Sequence, residues 1–139
     1  MNPARTNRIA WLTMAVCLLA ACSAKQSDPP PPATDSPPRA ITPENAGKYI
    51  GQTVTVCGTV ASAKYSAQTK GQPTYLNLNR PYPNQIFSVL IWGRDRPKFA
   101  EPPEAFYQGA NICVTGRITS FRGAPEIVVH APSQIAVNK

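Results

Sequence analysis

From Thr53 to Val60 the chain alternates, with Val54, Val56 and Val60 on one phase and Thr53, Thr55, Cys57 and Thr59 on the other. A period of two sends successive side chains to opposite faces, which suits an extended strand with one apolar face. Gly58, inside this run, predicts a bulge or a sharp bend. The same period returns over Asn111 to Phe121, where Ile112, Val114 and Ile118 stand against Cys113, Thr115, Arg117 and Thr119. Between these runs lie Thr74 to Asn79, with Leu76 and Leu78 inward and Tyr75, Asn77 and Asn79 outward, and Ile86 to Trp92, apolar enough to be covered on both faces. A fifth run, Glu126 to Ala131, follows a turn over Phe121 to Pro125. Lys64 to Pro73 reads as a polar loop, and the three prolines within Asp95 to Tyr107 leave room for at most a short helix.

The N-terminal region carries an address. Arg5 and Arg8 precede an apolar run, Ile9 to Ala21, broken only by Thr13. A permanent span of a bilayer core needs about 20 apolar residues, so this shorter run predicts a cleaved secretory signal over residues 1–21. It ends in Leu19-Ala20-Ala21-Cys22, which matches the lipobox of bacterial lipoproteins. The resemblance implies lipidation of Cys22 by diacylglyceryl and N-acyl chains, and anchoring by more than one chain is stable. Ser23, where the family uses Asp for inner-membrane retention, points to the outer membrane and the periplasm. Residues 22–40, with six prolines after Ser23 and no aromatic residue, predict an extended tether at about 3.1 Å per residue.

Residues 41–139 then form one domain, large enough to bury only roughly two-thirds of its unfolded surface. Loss of Arg5 and Arg8 takes the formal charge from +7 to +5, a modest excess that suits polyanions or lipid head groups without naming a partner. Of the four cysteines, Cys17 leaves with the signal and Cys22 is the lipidation site. Cys57 and Cys113 remain as an even pair in an oxidising compartment, which favours a disulfide over two buried free thiols. Two cysteines and the single His130 make a poor zinc site, and no other cofactor is implied.

Five strands, glycines in the first and fourth, and a short helical insertion between the third and fourth resemble the OB-fold, a five-stranded Greek-key barrel. The segments Gly51-Gln52-Thr53-Val54-Thr55-Val56-Cys57-Gly58-Thr59-Val60 and Val114-Thr115-Gly116-Arg117-Ile118 resemble the nucleic-acid-binding OB domains of the tRNA-anticodon and helicase type. That topology makes the first and fourth strands neighbours, so the Cys57 and Cys113 sulfurs could meet across them.

OB domains bind on the second and third strands and on the loops joining strands one to two and four to five. The resemblance therefore implies contacts from Lys64, Tyr65 and Lys70 in the first loop, Tyr75 and Asn77 on the second strand, and Arg122, beside Phe121, in the last. Trp92 joins them, although it also suits a core position. Tyr65 could instead close the barrel mouth, and Arg94 and Arg96 could be a solvated cluster paired with Asp95. Stacked rings beside cations hold single strands with little sequence reading.

The carboxylates Glu44, Asp95, Glu101, Glu104 and Glu126 do not form the metal-binding pair of the thermonuclease family, which shares the barrel. His130 lacks a neighbouring nucleophile or an obvious orienting carboxylate. The expectation is a monomeric, non-enzymatic module for single-stranded nucleic acid or another polyanion. The alternative is an envelope adaptor for a protein, an anionic glycan or a small cationic ligand, and a hydrolase using His130 or Glu126 is the weakest reading.

Overall fold

The computed structural model describes residues 39–138. The expected signal, Cys17, Cys22 and the expected tether as far as residue 38 lie outside the described residues. The described strands are β1 (Ala40–Ile41), β2 (Thr53–Tyr65), β3 (Thr74–Leu78), β4 (Ser88–Ile91), β5 (Asn111–Phe121), β6 (Ala124–Val129) and β7 (Ile135–Asn138). One α-helical turn, α1 (Pro103–Phe106), lies between β4 and β5, and 3-10 turns cover Pro43–Tyr49, Arg96–Lys98 and Pro132–Gln134.

Strands β2, β3, β4, β6 and β5 are neighbours in that order, and β5 pairs again with β2, so the five close into a barrel. Only β4 and β6 run parallel within it. This is an all-β OB-fold with its short helix between the third and fourth barrel strands, as the resemblance implies.

Closure requires β2 to serve two neighbours. Its first half, Thr53 to Thr59, pairs with β5, and its second half, Val60 to Tyr65, pairs with β3. The register shifts between Val60 and Ser62. The bulge therefore sits at Ala61, beyond the Gly58 position that the sequence suggests. An extra residue in one strand reverses the inward and outward phases beyond it. Val54, Val56 and Val60 point inward before the bulge, whereas after it Ala63 packs against the core and Lys64 is exposed. Lys64 and Tyr65 thus belong to the strand, and the polar loop begins at Ser66.

Gly58 and Gly116 are explained by close approach. A Cβ on Gly58 would lie 2.7 Å from Asn79 Oδ1 and 2.9 Å from Pro43 Cγ. The space it leaves seats Asn79, which accepts from the Thr59 amide at 3.0 Å and donates to Glu44 Oε1 at 2.8 Å. A Cβ on Gly116 would meet Ile127 Cγ2 at 2.6 Å, just where β5 leaves β2 for β6.

The core is assembled from the inward phases: Val56, Val60, Leu76, Leu78, Val89, Ile91, Ile112, Val114, Ile118, Ile127 and Val129 are all fully buried. Each such side chain contributes about 1.5–3 kcal/mol relative to exposure. Phe87, Ala46 and Tyr107 complete the cluster from outside the strands. On the outward phase, Cys57 and Cys113 are direct partners in the β2–β5 register and are joined by a disulfide.

Two strands lie outside the five that the sequence predicts. β1 pairs in parallel with β2 through Ala40 and Ile41, and β7 pairs antiparallel with β5. Ala40, the last residue of the expected tether, is therefore already part of the sheet.

The disulfide links residues 56 apart, and a loop of that size constrains the unfolded chain by about 4 kcal/mol. The double variant Cys57→Ser, Cys113→Ser is expected to lose stability of that order. Urea unfolding of both proteins under non-reducing conditions measures it.

Candidate binding groove

The bulge at Ala61 places Ser62 and Lys64 on the face that carries Tyr75 and Asn77 of β3 and Ser88 of β4. Strand register then builds two rows. Ser62, Asn77, Ser88 and Glu126 are successive cross-strand partners, and Lys64, Tyr75 and Leu90 form the next row. Residues of both rows line a groove of about 580 Å³, walled further by Tyr82, Gln85, Phe121, Arg122, Ala124 and Pro125.

The floor is largely self-satisfied. Asn77 Nδ2 donates to Ser62 Oγ at 3.0 Å, and Ser88 Oγ donates to Asn77 Oδ1 at 2.8 Å. The Tyr82 amide also donates to Ser62 Oγ, at 3.1 Å. Asn77 is buried at 4% exposure, because an outward position in a narrow groove can still be covered. Glu126, the last member of the row, has no ion-pair or hydrogen-bond partner for its carboxylate among the described residues. Partial burial pushes that carboxyl above its ordinary range. Gln85 Oε1 is likewise buried without a partner among the described residues.

The rim is aromatic and basic. Tyr82 is 73% exposed and Phe121 53%, far more than apolar rings show when they serve the core. The Arg122 guanidinium lies 5.2 Å from the Phe121 ring centroid, on a residue whose φ of 51° turns the chain tightly. Lys64, itself exposed, adds a second cation from β2.

Of the sequence candidates, Lys64, Tyr75, Asn77 and Arg122 meet in this groove. Tyr65, Lys70 and Trp92 do not. Tyr65 follows the bulge on the inward phase, opposite Thr74, and the Arg96 guanidinium covers its ring at 3.8 Å from the centroid. Lys70 and Trp92 line a separate open depression with Gly71, Gln72 and Arg94. Tyr82, Gln85, Ser62, Ser88 and Glu126 were not singled out as ligand contacts from sequence. Tyr82 had a signal, being an aromatic residue held between two prolines in a turn.

A second polar cluster corrects two readings. Arg96 does not pair with Asp95: it makes a bidentate contact with Glu104, at 2.6 and 3.1 Å, and donates to Thr74 Oγ1 at 2.6 Å. Asp95, with its side chain 6% exposed, instead accepts from Lys98 Nζ at 2.6 Å and faces His130 Nδ1 at 3.0 Å, with Arg94 Nε at 3.7 Å. His130 therefore does have an orienting carboxylate. Lys98 also donates to the His130 carbonyl at 2.9 Å, so the cluster ties the segment after β4 to the end of β6. No serine or cysteine stands within hydrogen-bonding reach of the His130 ring among the described residues.

No protein-family model matches the chain, and no curated protein matches it in sequence. Among solved structures it is similar to a chain of the Stn1–Ten1 complex of S. pombe, with 17% identity and a TM-score of 0.46 over 63% of this chain and 58% of that one. It is also similar to the aspartyl-tRNA synthetase of Entamoeba histolytica, with 18% identity and a TM-score of 0.46 over 81% of this chain and 23% of that one. This chain thus spans less than two-thirds of either. The OB assignment rests on the strand order itself.

The Lys98 and His130 hydrogen bonds hold the Asp95 carboxyl below its ordinary value of 3.8. A lowered carboxyl pKa gives stability that is complete above the unfolded value and is lost as pH falls through the folded one. Asp95→Asn is therefore expected to lower the urea midpoint at pH 7, with the gap to the parent narrowing below about pH 4. Urea midpoints recorded from pH 2 to 7 test this.

Proposed function

We propose that the domain is a non-enzymatic binding module whose groove holds single-stranded nucleic acid with little sequence preference. The observation that carries this reading is the convergence, around one groove, of Tyr75, the exposed rings of Tyr82 and Phe121, and the cations of Lys64 and Arg122. Every base offers a π-face to such rings, and each stacked base contributes about 1–3 kcal/mol. Cations beside the rings meet the phosphates and make the affinity salt-dependent. The Asp95–His130 pair fits a structural tie, since it closes a loop onto a strand end and has no nucleophile beside it among the described residues.

The module belongs, in this reading, to an exported lipoprotein. Cys22 anchors it by acyl chains in the outer membrane facing the periplasm, and the Pro-rich tether lets it stand away from the surface. Formation of the Cys57–Cys113 disulfide accords with an oxidising compartment.

Fluorescence titration of the full chain in detergent with a single-stranded oligonucleotide, at 50 and 200 mM salt, tests the reading. Affinity is expected to fall steeply with salt, and Tyr75→Ala and Arg122→Ala are each expected to weaken binding about tenfold. Absence of binding at low salt would point to the alternative, an envelope adaptor for a protein, an anionic glycan or a small cationic ligand.

A further inference from the structure

We infer that Glu126 gives the groove one base-reading position, at which it prefers guanine. This rests on the nucleic-acid reading and goes beyond it, since the aromatic and basic rim alone does not distinguish bases.

The inference begins with what the floor leaves open. In the cross-strand row Ser62, Asn77, Ser88, Glu126, the first three members are bonded to one another. Asn77, the most sequence-informative side chain there, spends its oxygen on Ser88 and one amide hydrogen on Ser62, so it is poorly placed to read a ligand. Glu126 alone retains both carboxylate oxygens without a partner among the described residues, and it lines the same groove as Tyr75, Tyr82 and Phe121. The other orphan in the lining, Gln85 Oε1, is also an acceptor. A half-buried carboxylate without a partner costs stability, and a ligand that donates hydrogen bonds to it recovers that cost.

A carboxylate presents two parallel acceptors, which match two donors side by side. On the free Watson–Crick edge of a single strand, only guanine has that arrangement, in N1–H and the 2-amino group. Thymine and uracil offer one N–H between two carbonyl oxygens, which a carboxylate repels. Cytosine and adenine offer an amino group next to a ring nitrogen acceptor. Recognition of unstacked bases by their Watson–Crick edges while they stack on aromatic rings is the usual mode for single strands. A good bidentate contact discriminates between bases by about fivefold or more.

The test compares a pentathymidylate with the same oligomer carrying one central guanosine or one central inosine, which lacks the 2-amino donor. Affinities are measured for the full chain in detergent at pH 7 and low salt, with the parent and Glu126→Gln. The expected result is about tenfold tighter binding of the guanosine oligomer than of the pentathymidylate, with inosine between them. Glu126→Gln is expected to bind all three, with the preference lost, because its amide offers only one acceptor. Equal binding of the three oligomers by the parent would overturn the assignment while leaving the nucleic-acid reading standing. A guanine preference that survives in Glu126→Gln would also overturn it, by placing the preference in stacking. Failure of the parent to bind any oligomer would sink the nucleic-acid reading and the base preference with it.

Discussion

Pairing of β2 with β5 turns five strands into a barrel, and every other feature of the domain is placed by that seam. It runs from Thr53 opposite Arg117 to Thr59 opposite Asn111 without a break in register, with the disulfide inside it. Because β2 must then leave β5 and join β3, it bulges at Ala61, and because β5 must leave β2 and join β6, it passes Ile127 at Gly116. The groove is a product of the first of these two departures. Without the extra residue, Ser62 and Lys64 would continue the inward phase of Val60, and neither would stand beside Tyr75 and Asn77.

How far this could be read from residue order depends on what each residue answers to. The inward phases of β2 and β5 were legible because one buried face forces strict alternation, and Val54, Val56, Ile112 and Val114 obey it. The seam between Cys57 and Cys113 followed once those two strands were taken as neighbours. The position of the bulge was not legible, since Ala61-Ser62-Ala63 contains no large apolar residue whose phase could report the slip. Gly58 is the only glycine in the run and so suggests the bulge, yet its missing side chain serves Asn79, a contact made across the fold. β1 and β7 span two and four residues, too short for a period to emerge.

The candidate site divides in the same way. Tyr75, Asn77, Lys64 and Arg122 come together because strand order and the β5–β6 turn place them on one face, which the barrel topology implies. Trp92 and Lys70 are as aromatic and basic as the others, but they border a different depression, and only tertiary structure separates the two sets. Tyr65 is removed from the groove by the phase reversal and then covered by Arg96. The link from Asp95 to His130 spans 35 residues and belongs to neither a strand pattern nor a local motif, so proximity alone reveals it.

The position of β1 has a mechanical consequence. The chain that precedes Arg39 enters the domain through Ala40 and Ile41, which lie beside Thr55 and Val56, directly ahead of Cys57. Tension transmitted from that side is handed from β1 to β2, and the next residue along β2 is covalently bound to β5. A pull strong enough to peel β1 away therefore meets a crosslink at the centre of the seam before it can reach the groove strands β3 and β4. The domain can be tugged by its leading end while the surface on its far strands keeps its shape.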